Sequence, residues 1–192
     1  MKKNNILEVD VYNDKILKKV KKLIKYCDKN NINIKFNIIN NDDELFVRDI
    51  KTIEKAINIK DKKERYTYIY DIICSYLDER LKEGYCEFID DICIRDRLKN
   101  NNHKNGCCEC IGRGKCKYLI DSTCTMKSCM ACKIFTCKTL RKKGIKHSIN
   151  DYALSVFFDR KEKYILENSF WTPKDIVIER LLKKEYISSW RW

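Results

Sequence analysis

The chain has 192 residues, with 41 Lys and Arg against 28 Asp and Glu, for a formal net charge of +13. Apolar residues make up 44% and charged residues 36%, a globular composition that excludes a disordered chain. No window approaches the roughly 18 consecutive apolar residues of a membrane span, and Glu8, Asp10 and Asp14 stand where a secretion signal needs its apolar core. The sequence therefore predicts a cytoplasmic protein with no membrane partner.

The elements follow in chain order. Residues 6–12 alternate weakly and predict a short strand. Asn13 sits where a helix cap belongs, and Ile16, Leu17, Val20, Leu23, Ile24 and Cys27 recur at helical spacing behind it. Lys18, Lys19, Lys21, Lys22 and Lys25 fill the opposite face. Cys27 falls on the apolar stripe, which predicts a core thiol. Residues 32–39 place Ile32, Ile34, Phe36 and Ile38 on one side of a half-buried strand.

A helix over Leu45–Ile57, carried by Phe46, Ile50, Ile53 and Ile57, completes a strand-helix-strand-helix order, with two parallel strands as a nucleus. A longer helix is predicted over Lys62–Leu81, its stripe formed by Tyr66, Ile69, Tyr70, Ile73 and Leu77, with Gly84 placed to end it and Cys74 as a second core thiol. Asp90-Asp91 predicts a turn between two short strands, and Lys99–Gly106 a polar loop. Cys129–Lys143 reads as one helix ending at Gly144. Ser148 is positioned to cap another, containing Tyr152, Leu154, Val156, Phe157, Tyr164, Ile165 and Leu166. For the last helix Thr172 is the expected cap, Pro173 the first helical residue and Asp175 the capping-box acid, with Trp171 and Ile176 as a hydrophobic staple. Trp190 and Trp192 are expected to fold back onto the domain.

Ten of the twelve cysteines crowd between Cys86 and Cys137: Cys86, Cys93, Cys107, Cys108, Cys110, Cys116, Cys124, Cys129, Cys132 and Cys137. Cytosolic thiols stay reduced, and a chain long enough to build a core has no need of a disulfide framework, so the cluster reads as a thiolate metal site. Zinc and iron–sulfur centres both gather four thiolates, and close pairs such as Cys129-x2-Cys132 supply two ligands through a short loop. Zn²⁺ is the expected ion, with an iron–sulfur cluster as the alternative. A dithiol redox pair at Cys129/Cys132 is a further reading. His103 and His147, the only histidines, are candidate ligands, with surface positions as the plainer expectation for both.

Two resemblances attach to these residues. Cys124-x4-Cys129-x2-Cys132 resembles the first three spacings of a plant-type ferredoxin loop, but Thr125-Met126-Lys127-Ser128 is bulky and basic there, and Cys137 follows too soon for the distant fourth ligand. The run GCCECIGRGKCKYLIDSTCTMKSCMACKIFTC, residues 106–137, resembles the zinc- or iron-chelating cysteine-cluster domains. That resemblance implies a metal site at Cys107, Cys108, Cys116, Cys124, Cys132 and Cys137 and names no activity.

Charge is concentrated on the same segment. Residues 86–150 carry 14 basic and 6 acidic side chains, a net +8, whereas residues 1–85 carry 19 and 15 and residues 151–192 carry 8 and 7. The excess either balances thiolates, since a pair of divalent ions held by eight thiolates adds about four negative charges, or forms a footprint for a protein partner or nucleic acid. Arg113, Lys115, Lys117, Lys127, Lys133, Lys138, Arg141, Lys142 and Lys143 are the candidate phosphate contacts. Phosphate-loop, dinucleotide and HExxH motifs are absent.

The sequence thus predicts an α+β, helix-rich fold in three parts: residues 1–84 as an α/β-like helical region, 85–147 as the cysteine-rich metal-binding module, and 148–192 as C-terminal helices packing on the first region. The expected function is that of a zinc-binding protein with a structural or interaction role. The alternatives are an iron–sulfur protein, in electron transfer or catalysis, and a zinc-stabilised nucleic-acid-binding protein.

Overall fold

The computed structural model describes residues 6–81, 88–89, 92–93, 119–120, 123–124, 129–136 and 138–185. Its N-terminal half follows the expected strand-helix-strand-helix order. Strand β1 (Ile6–Val11) leads through a 3-10 turn (Asp14–Ile16) into α1 (Leu17–Asn30), then β2 (Asn33–Ile38), α2 (Glu44–Asn58) and α3 (Lys62–Leu81). β1 and β2 pair in parallel, with Leu7 opposite Ile34, Val9 opposite Phe36 and Val11 opposite Ile38. Parallel pairing needs a crossover, and α1 supplies it.

Local chemistry sets the helix ends. Asn13 accepts the Lys15 amide at the entry to the 3-10 turn, and Asn31 closes α1 in the left-handed conformation that Asn tolerates, φ 50°. Asp43 caps α2 by accepting from Leu45 and Phe46, and Asp61 accepts from Glu64 at the start of α3.

A two-stranded sheet leaves the free edge of β2 unpaired, and α2 provides for it. Asn58 Oδ1 accepts the Ile34 N–H at 2.8 Å while its Nδ2 donates to the Ile34 carbonyl at 2.9 Å. Two residues along, Glu54 accepts the Phe36 N–H at 2.6 Å. One helix face thus behaves toward β2 as a third strand would.

The second half is built from short pieces. The hairpin strands β3 (Phe88–Ile89) and β4 (Ile92–Cys93) are antiparallel, as the Asp90-Asp91 turn predicts, although those two residues themselves lie outside the described ones. β5 (Leu119–Ile120) and β6 (Thr123–Cys124) form a similar pair. Then come α4 (Met130–Ile134), α5 (Lys138–Lys142), 3-10 turns at Ile149–Asp151 and Ala153–Phe157, α6 (Arg160–Asn168) and α7 (Lys174–Lys183). Gly84, the Lys99–Gly106 stretch, Trp190 and Trp192 lie outside the described residues.

Three expectations are corrected here. The single helix over Cys129–Lys143 is two helices, because Phe135 leaves helical geometry at ψ 126° and Thr136 turns its hydroxyl to the Ile134 carbonyl and the His147 amide. Gly144, at φ +80°, does close the second piece. The helix expected after Ser148 is two 3-10 turns followed by α6: Ser148 and Asp151 form a capping box on the first turn, and Asp159 and Glu162 form another that starts the α-helix afresh. At α7 the cap position is Pro173 rather than Thr172, and no side chain caps it. Thr172 Oγ1 donates instead to the Phe170 carbonyl, Ile176 stays exposed, and Trp171 lies against Phe170 at 5.8 Å.

One apolar core spans both halves. It runs from Val11, Val20, Ile34 and Ile53 through Ile69, Ile73 and Leu77 to Met130, Ile134, Leu154, Ile165 and Leu181. α3 lies at its centre, with α2, α4 and α7 packed against it. Among the described residues no helix is long and apolar enough to cross a membrane.

The clamp on β2 makes a prediction. Asn58→Ala leaves the Ile34 N–H and C=O without their partner and should cost about 1–3 kcal/mol in urea unfolding. A change below about 0.5 kcal/mol would mean that water replaces the side chain.

Candidate metal centre

Two thiols of the expected cluster meet at the junction of α4 with α3. Cys129 is the residue that precedes α4 and Cys132 lies within it. Cys129 is fully buried and Cys132 half-buried, and neither is in a disulfide. Tyr70 anchors the junction from α3: its hydroxyl accepts the Met130 amide at 2.9 Å. Lys133 binds the carboxylate of Asp78, also on α3.

The Cys129 sulfur is built to carry charge. Its pKa is lowered to about 7, first by a hydrogen bond from the Cys132 side chain, and further by the backbone N–H groups of Cys132, Trp171 and Thr172. Burial opposes the shift and is outweighed. As a neutral thiol it donates to the Ser169 carbonyl at 3.6 Å. Trp171 has φ +51°, a conformation that costs a bulky residue about 1–2 kcal/mol. This left-handed turn lies where two successive amides, of Trp171 and Thr172, converge on the sulfur, as in the concave anion-binding nests of peptide backbones.

Two other described thiols, Cys74 and Cys27, behave oppositely. Cys74 is buried beside the pair and its pKa is pushed up to about 12, burial being the main cause, with Lys133 pulling the other way. Cys27 is buried in the core and its pKa is also raised by burial. Both are protonated core thiols at neutral pH, in keeping with their places on apolar stripes.

Of the remaining sequence-derived candidates, Cys93 lies on β4 and Cys124 on β6. Cys86, Cys107, Cys108, Cys110, Cys116 and Cys137 lie outside the described residues, as does His103. Among the described residues no group of three or more His, Cys, Asp or Glu is arranged to hold a metal ion. Cys129 and Cys132 are the two sequence-derived candidates that the described residues bring together. His147 is buried, with its amide on Thr136, and is not a surface residue. Lys133 leaves the set of candidate phosphate contacts because it is buried and bound to Asp78, whereas Arg141, Lys142 and Lys143 are exposed.

Sequence reasoning did not find the surroundings of the pair. Tyr70 is legible only as a stripe residue of α3, and Ser169, Trp171 and Thr172 come from a loop some forty residues away. No family model matches this chain, and no curated protein or solved structure matches it either.

A titration checks the electrostatics. In reduced protein stripped of metal, thiolate ultraviolet absorbance should show one group with a midpoint near pH 7, absent from Cys129→Ser. Because the folded pKa lies below the unfolded one, the unfolded state binds more protons between about pH 7 and pH 9. Stability from this group therefore rises with pH across that window, by at most about 1.4 kcal/mol per pH unit, and is lost as pH falls through 7.

Proposed function

We propose that the chain is a zinc-binding protein in which Cys129 and Cys132 supply two thiolates and other cysteines of the 86–137 segment complete the coordination. What supports this reading is the meeting of Cys129 and Cys132 at the junction of α4 with α3, where the Cys132 side chain first, and then the N–H groups of Cys132, Trp171 and Thr172, lower the Cys129 pKa against burial. Those donors disperse thiolate charge and favour the form that binds a soft or borderline ion. Zinc fits the donor set because it takes tetrahedral sulfur ligands and serves structural sites without redox chemistry. The role is structural: a metal held by Cys129 and Cys132 would tie the start of α4, and through Tyr70 α3, to the other cysteines of the segment. The resemblance of residues 106–137 to chelating cysteine-cluster domains supports the same reading, as does a cytoplasmic location, where thiols stay reduced.

Native mass spectrometry of protein purified under reducing conditions should show one or two zinc ions, removed by chelator together with a loss of thermal stability. Cys132→Ser should lose one ion, and Cys27→Ser none. A brown anaerobic sample rich in iron would replace zinc with an iron–sulfur cluster. A folded, metal-free protein whose stability is indifferent to chelator would end the proposal.

A further inference from the structure

Separate from the thiol pair, α1, the start of α3 and the start of α6 enclose an open cavity of about 670 Å³. Its lining carries six cations and three carboxylates, a net +3. The carboxylates are already engaged. Asp28 receives both terminal nitrogens of Arg65, at 2.8 and 2.7 Å. Asp159 pairs with Lys184 and caps α6 by accepting the Glu162 amide at 2.9 Å. Glu162, buried at 3% exposure, accepts the Tyr66 hydroxyl at 2.6 Å and the Asp159 amide at 2.8 Å.

Four lysines are left over. Lys21, Lys25, Lys60 and Lys62 line the cavity, and no ion pair among the described residues involves them. Among the described residues Lys60 donates to the Ile32 carbonyl alone, and Lys62 stands 5.2 Å above the Tyr66 ring. Like charges gathered around a concave surface with low-dielectric walls focus a positive potential into it. The field reaches Lys163 nearby, whose pKa is lowered first by burial and then by Lys21.

The remaining wall is apolar. Ile24, Val156 and Phe157 are half-buried at the cavity, backed by Phe158 and Tyr66 with ring centres 5.4 Å apart. The volume suits a small molecule, for which sites span about 300–1,000 Å³. Phe157 brings an aromatic ring to that wall, a stacking partner for a planar base. The Asp28 side chain, 40% exposed, and Asn31 offer polar atoms between the two regions.

We infer that this cavity binds a nucleoside polyphosphate, with its phosphates among Lys21, Lys25, Lys60 and Lys62 and its base against Ile24, Val156 and Phe157. Asp28 and Asn31 are placed to meet the ribose hydroxyls or the base edge. The inference does not depend on the metal reading, because none of the lining residues is a cysteine.

Isothermal titration of the full chain with ATP, GTP and inorganic tripolyphosphate tests it. One nucleotide should bind at least about tenfold more tightly than tripolyphosphate, with affinity falling as salt is raised. At a hundred times its Kd the nucleotide should raise Tm by about 5–10 °C. Lys21 and Lys25 are exposed on α1, so the double variant K21E/K25E should fold with an unchanged ligand-free Tm and bind at least about tenfold more weakly. Three results would overturn the inference: no heat with either nucleotide at millimolar concentration, tripolyphosphate binding as tightly as the nucleotide, or undiminished nucleotide binding in the double variant.

Discussion

Two tyrosine hydroxyls on α3 must find partners inside the protein, and their requirement determines how the C-terminal half docks. Tyr66 and Tyr70 lie one turn apart on the buried stripe of the helix, exposed by 4% and 1%. A buried hydroxyl without a partner costs about 1–3 kcal/mol, a large share of the stability of a domain. Tyr66 donates to Glu162 at the start of α6, and Tyr70 accepts from Met130 at the start of α4. The apolar contacts of Ile69, Ile73 and Leu77 drive the association, but they are tolerant of small rotations. The hydroxyls are not, and they fix which end of each short helix meets α3.

The same principle sorts the thiols. Cys27, Cys74 and Cys129 are all buried, yet burial alone raises a thiol pKa and does so for the first two. Cys129 differs because the Cys132 side chain, and after it backbone amides from its own helix and from the turn at Trp171, reach its sulfur. A strained tryptophan beside a charge-accepting sulfur is a local conflict, and such conflicts concentrate where a protein does something other than fold.

The first three helices and the parallel strand pair are legible in the sequence because their apolar residues recur over long, uninterrupted windows. Ile50, Ile53 and Ile57 are buried where helical spacing puts them, and Ile34 and Phe36 where alternation does. Past Cys129 the windows shorten and side chains compete for the backbone. Thr136, Ser148 and Asp159 each open or break an element through one or two hydrogen bonds that periodicity does not register. Of the candidate centre, the Cys129-x2-Cys132 spacing is visible in the chain, but what sets these two thiols apart is not, since Ser169, Trp171 and Tyr70 reach them only through tertiary contact. The lysine-lined cavity is hidden for a similar reason: Lys21 and Lys25 read as an ordinary solvated face until Lys60 and Lys62 are brought opposite them.

The engagement of β2 by Asn58 and Glu54 has a bearing on how the molecule behaves in a crowded solution. Sheet borders with vacant amides recruit strands from neighbouring molecules, and this is a common beginning of fibrils and of exchanged-segment dimers. Here that border is occupied from within by the molecule's own helix, and a would-be recruit must first displace a carboxylate. The same contacts that let so small a sheet exist also close one of its two borders.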